Sequence, residues 1–106
     1  NISNATSPGQ FINILPSIDF PQTMRRPMSI SFQDNNSLKI IYKAIGDGTR
    51  IMKNWKKGDQ VDIIGPLGNQ WGSTQEKQPI LIAGGVGVVP LLFLQQELNN
   101  KSKKVC

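Results

Sequence analysis

The stretch best suited to hold an anion is "ILIAGGVGVVPLLFLQQEL", residues 80 to 98. An apolar run breaks at Gly84, Gly85 and Gly87 and restarts at Pro90. In a strand–turn–helix, such glycines let the backbone approach a ligand closely. The helix start adds N–H groups and the positive end of a dipole. The common dinucleotide spacing, Gly-x-Gly-x-x-Gly, is broken, because Pro90 stands where the third glycine belongs. A plain tight turn also accounts for the glycines, so the local pattern leaves both readings open.

Three further stretches carry chemistry-bearing residues. In "RRPMSIS", Arg26 precedes the rigid Pro27 and suits bidentate contact with a phosphate. Ser29, two residues past Pro27 on a strand, offers a small hydroxyl to a flat ring. The bland alternative is a surface arginine pair before an edge strand. In "GDGTRI", Gly46 and Gly48 loosen a turn and Thr49 stands at a helix start, which suits either capping or an anion. In "IIGPLGNQW", Pro66, Gly68 and Asn69 make a compact turn. Trp71 there is a packing residue or a cofactor contact. The chain has no histidine and a single cysteine, Cys106. The commonest catalytic base and metal ligand is therefore absent, no metal site is expected, and any chemistry falls to a cofactor.

These residues need elements to position them. "QFINILP" alternates Phe11, Asn13 and Leu15 against Gln10, Ile12 and Ile14, as a strand with both faces partly apolar does. Met28 to Phe32 and Leu38 to Ile45 predict two strands of a hairpin around "QDNNS". Gln60 to Ile64 predicts another strand, closed by Gly65-Pro66. Between them Thr49 serves as N-cap and Gly58 as the stop of a short helix bearing Ile51, Met52 and Trp55. Several short strands with one small helix suggest an antiparallel barrel, N-terminally incomplete. Asn69 to Pro79 is polar and linker-like. A strand over Ile80 to Ala83 and a helix from Pro90 to Asn99, buried along Leu91, Leu92, Leu94 and Leu98, then predict the start of an α/β unit with a parallel sheet. Val105-Cys106 would begin its next strand, with Cys106 in the core. The expected division is a partial barrel over 1–70, a linker over 71–79 and a truncated nucleotide-binding α/β domain over 80–106.

At 106 residues, 38% hydrophobic and 18% charged, the composition is globular. The longest apolar stretches, Ile80 to Ala83 and Val88 to Leu94, fall far short of the ~20 residues of a membrane span. The net charge of +5 would attract an anionic cofactor or nucleic acid. However, few aromatics lie among Lys53, Lys56, Lys57, Lys101, Lys103 and Lys104 to stack bases. No nucleic-acid or membrane partner is expected. The chain starts at Asn1 and ends on an opening strand, and is expected to be a piece of a longer protein.

The order of these motifs resembles the ferredoxin–NADP reductase superfamily, in which an antiparallel barrel binds FAD and a following α/β domain binds NAD or NADP. Within it, "PGQFINILP", "RRPMSIS", "DGT", "VDIIGPLGN" and "ILIAGGVGVVPLL" look most like the electron-transfer subunits of NAD-dependent dihydroorotate dehydrogenases. The resemblance implies that Arg26, with Pro27, meets the FAD pyrophosphate and that Ser29 hydrogen-bonds near the reactive flavin N5. It implies that Met28 packs on the flavin ring where many relatives have tyrosine. Ile41, Tyr42 and Lys43 would lie along the FAD, and Gly48 and Thr49 would offer N–H groups to its diphosphate. Gly84, Gly85, Gly87 and Pro90 would form the nicotinamide-nucleotide loop.

The resemblance further implies a cytoplasmic enzyme subunit of pyrimidine biosynthesis, paired with a catalytic dihydroorotate dehydrogenase subunit in a heterotetramer. A [2Fe-2S] cluster would be held by cysteines beyond this chain. Two rivals remain at this point: another reductase-type subunit, serving a ferredoxin-linked NADPH oxidoreductase or a hydrogenase, and a flavin-free basic barrel that binds nucleic acid or protein.

Overall fold

Ile12 and Ile14 lie one side-chain period apart, and both are buried on the same face of strand β1, Phe11–Leu15. Phe11, Asn13 and Leu15 are half-buried on the other face. The computed structural model describes residues 2–19, 24–72 and 78–101. Strand β2, Arg26–Gln33, runs antiparallel to β1 with Ile14 opposite Arg26 and Phe11 opposite Ser29. Its Met28 and Ile30 join Ile12 and Ile14 in the core. Burial of each such side chain contributes about 1.5–3 kcal/mol.

The expected hairpin is present: β3, Leu38–Ile40, pairs antiparallel with β2. Its turn is set by Asp34, whose carboxylate accepts the Asn36 and Ser37 N–H groups at 2.9 and 2.8 Å and the Ser37 hydroxyl at 2.9 Å. Those bonds favour the charged form and hold the carboxyl below its ordinary value. A lowered folded pKa means stabilisation that is present above the unfolded value and lost as pH falls through the folded one. The Asn36 and Ser37 amide shifts should therefore titrate with a midpoint below the ordinary value of an aspartate in an unfolded chain. An NMR titration with a midpoint at or above that value would rule out this turn chemistry.

Two strand limits differ from the sequence expectation. β3 ends at Ile40, not Ile45. It is an edge strand whose pairing slips between Ile30 and Phe32, and past Ile40 it has no ladder to follow. Strand β4, Asp62–Leu67, starts later than Gln60 and continues through Gly65-Pro66, a cis peptide, where a stop was expected. The sheet order β3-β2-β1-β4 explains this, since a proline lacking its N–H is accommodated on an edge. At Gly65 the Ile12 side chain of β1 comes so close that a Cβ would lie 2.8 Å from its Cγ2. The sheet has its edges at β3 and β4, and closure into a barrel is not seen among the described residues.

Helix α1 spans Asp47–Met52 with Gly46 as N-cap, so Thr49 is not the cap. From inside the first turn its hydroxyl reaches back to accept the Gly46 and Ile45 N–H groups, both at 3.1 Å. The helix stops well before Gly58. Met52 is buried in the core, and the half-buried Trp55 donates its indole N–H to the Pro16 carbonyl at 3.1 Å.

Residues 80–83 form no strand. Ile82 is 87% exposed, and no neighbouring strand lies beside it among the described residues. A parallel strand is stable only inside a sheet. The next expected strand, Val105-Cys106, lies outside the described residues, as does the proposed burial of Cys106. Helix α2, Val88–Asn100, is longer than the expected Pro90–Asn99 and follows a 3-10 turn at Gly85–Gly87. Pro90 sits in its first turn, where no partner for an N–H is lost. Its buried residues are Val89, Phe93 and Leu98. Leu91 and Leu94 are half-buried and Leu92 is exposed, because the helix turns Phe93 toward β2.

Candidate functional site

Arg25 and Arg26 are adjacent, and the structure gives them different work. Arg25 donates to the Asp62 carboxylate at 2.9 Å and to its carbonyl at 3.2 Å, tying the approach to β2 to the start of β4. That donation is the main reason the Asp62 carboxyl sits below its ordinary value. Arg26, half-buried at the first position of β2, donates to the Met24 carbonyl at 2.9 Å and extends across Gly48 of α1.

The Arg26–Gly48 contact is close. A Cβ on Gly48 would lie 2.9 Å from Arg26 Nε and 3.0 Å from Pro16 Cγ. Glycine is thus required there by proximity, and two residues 22 positions apart in the chain, Arg26 and Gly48, meet at one place. α1 presents its first turn beside the guanidinium, and first-turn N–H groups have no partner within a helix. A fixed cation next to such donors is suited to an oxyanion ligand. Asp47, in the same turn, is drawn toward Arg50 at 3.5 Å.

Pro27 is exposed opposite Asn13. Ser29 is half-buried on the opposite face of β2 from Met28 and Ile30, as strand alternation requires. Met28 is 9% exposed and packed into the core, so in this arrangement it serves the sheet. Ile41, Tyr42 and Lys43 follow β3 as irregular chain: Ile41 and Lys43 are exposed, and Tyr42 leans on the core. Gly84, Gly85 and Gly87 form an open loop before α2, with Gly85 at φ +55°. Beyond their chain neighbours and the helix backbone, no atom of the described residues comes within 4 Å of a Cβ built on any of the three, and neither Arg26 nor Gly48 touches them there.

Trp71 packs its indole on Gly9 and donates its backbone N–H to the Pro8 carbonyl at 2.8 Å. The Gln10 side chain donates to the Gly68 carbonyl at 3.2 Å, so "PGQF" and "PLGNQW" are clasped together. Sequence reasoning missed two features. One is a groove of about 620 Å³ between Pro16, Ile18, Ile51, Trp55 and Val61, which no expected site residue lines. The other is the pairing of Gln96 with Gln33, for which a glutamine in the polar run Gln95-Gln96-Glu97 gave no local signal. Among the described residues no group of three or more His, Cys, Asp or Glu could hold a metal ion. None of their helices is long and apolar enough to cross a membrane.

A small antiparallel sheet with a helix, carrying Arg-Pro-x-Ser beside Gly-Thr, is compatible with an FAD-binding domain of the reductase type. The comparisons are more particular. No family model matches the chain. It is 39% identical over 108 residues, 97% of this chain and 42% of the relative, to the dihydroorotate dehydrogenase B (NAD(+)), electron transfer subunit, of Fusobacterium nucleatum. The subunit of the same name from Enterococcus faecalis is 38% identical over 98% of this chain and 41% of its own length. That of Lysinibacillus sphaericus is 37% identical over 92% and 40%. These subunits are homologues of the chain along most of its length, and the chain spans about two fifths of theirs.

Proposed function

We propose that the chain is the portion of an electron-transfer subunit that binds FAD and begins the binding of NAD. The protein would pass electrons from a catalytic dihydroorotate dehydrogenase subunit, through a [2Fe-2S] centre, to FAD and then to NAD in the cytoplasm. The observation that carries the reading is 39% identity over nearly the whole chain to a subunit so named. In this reading residues 1–70 belong to an FAD-binding barrel, 71–79 to a linker and 80–106 to the nucleotide-binding α/β domain.

The residues present fit the cofactor: the place where Gly48 lacks a Cβ is bordered by the Arg26 side chain. Arg26 would neutralise the diphosphate, with Gly48 and Thr49 N–H groups donating beside it. Ser29 would donate a hydrogen bond at the flavin N5 edge, with Pro27 holding the strand entry rigid. Ile41, Tyr42 and Lys43 would flank the remainder of the FAD. The Gly84, Gly85, Gly87 and Pro90 loop would receive the nicotinamide nucleotide, its glycines leaving the backbone approachable. FAD, when bound, supplies the hydride exchange with NAD, so no side chain of this chain is needed as acid or base.

An anaerobic absorption spectrum of the full-length protein, taken before and after NADH, tests the reading. Flavin bands with a broad iron–sulfur shoulder, both bleached by NADH, are expected. Flavin without the shoulder would keep a reductase and discard the dihydroorotate assignment. A colourless protein that takes up no added FAD would overturn the whole reading.

A further inference from the structure

We infer that Gln96 is a positioning residue, setting where the Gly84–Gly87 loop stands relative to the Ser29 strand. The inference rests on the functional reading above. Its ground is a two-point contact: the Gln33 N–H donates to Gln96 Oε1 at 3.1 Å, and Gln96 Nε2 donates to the Gln33 carbonyl at 2.6 Å. β1 pairs with β2 only as far as Ser29, so residues 30–33 overhang it, and α2 lies against β2. A glutamine side-chain amide offers the same donor and acceptor as a peptide group. Gln96 therefore gives the end of β2 the pair of bonds that a neighbouring strand would give.

Helix and sheet also meet through apolar contact, with Phe93 of α2 in the core. Apolar contact is non-directional and lets a helix slide or roll. The amide pair is directional and holds one register. α2 begins directly after Gly87, and nine residues of helix carry any shift at Gln96 over about 13 Å to the loop. Since β2 bears Ser29 and α2 carries the loop, the register fixed at Gln96 sets the spacing between the two proposed ring sites. Hydride transfer is sensitive to that spacing, because a misplacement of about 1 Å can cost a hundredfold in rate.

The test uses the full-length protein with its FAD. In Gln96→Leu, flavin reduction at saturating NADH should slow by about tenfold or more while flavin content is unchanged. Gln96→Glu keeps the acceptor for the Gln33 N–H and should lose less. A Gln96→Leu protein reduced within twofold of wild type would overturn the inference. Should that variant fail to fold, hydrogen exchange of the wild-type Gln33 amide decides. Protection supports the clamp, and exchange as fast as an open loop overturns it. If NADH does not reduce the wild type while Gln33 is protected, the functional reading falls and takes the positioning role with it, leaving only the contact.

Discussion

Replacing Phe93 with alanine is expected to lower the free energy of unfolding by about 3–5 kcal/mol. Phe93 is 3% exposed and is the residue of α2 that enters the cluster of Ile12, Ile14, Met28, Ile30 and Met52. Truncation removes its transfer free energy and leaves a cavity between a helix and a sheet. The loss is large against a typical domain stability of about 5–15 kcal/mol. Leu92→Ala is the matched comparison: Leu92 is 37% exposed, and its truncation should cost much less. Urea unfolding of the two variants checks the difference. Equal losses would mean that α2 does not lie on the sheet by its Phe93 side.

Replacing Gly48 with alanine is expected to weaken FAD binding by tenfold or more. The new Cβ would stand 2.9 Å from Arg26 Nε and 3.0 Å from Pro16 Cγ. The arginine side chain is long and flexible and gives way, whereas Pro16 is rigid and buried, so the second contact adds a cost in stability. The cation then leaves its place beside the first turn of α1. Arg26→Ala removes the same charge-assisted contact directly, worth about 1.5–3 kcal/mol. The two variants should therefore lose similar affinity, and the double variant little more, since they disable one interaction. Titration of FAD into the apo full-length protein measures all three. Full affinity in Arg26→Ala would remove Arg26 from the site. A loss in Arg26→Ala without one in Gly48→Ala would separate the two residues.

The candidate site was only partly legible from the chain. Each motif was visible as a local pattern, but nothing in "RRPMSIS" says which arginine turns to Asp62 and which to Gly48. That division depends on β4 lying next to β1, a contact between residues about 50 positions apart. The Gln96–Gln33 pair is similar: a glutamine in the polar run of residues 95–97 reads as surface until the end of β2 is placed against it.

What the sequence alone determined are the features governed by neighbours along the chain. Side-chain alternation put Ile12 and Ile14 together on one face of β1, and Asp34 with Ser37 set the hairpin turn. Apolar content and Pro90 placed α2 after its glycine loop, and the motif order pointed to the right relatives. Only the tertiary structure decided where the edge strands end, because the length of β3 and β4 is set by the strand beside them. It also decided which side of α2 faces inward. From Val88 to Leu94 nearly every residue is apolar, so periodicity cannot choose a face, and contact with β2 chose Phe93. The strand expected at 80–83 failed to form for the same reason: an extended segment becomes a strand only when a partner supplies its hydrogen bonds.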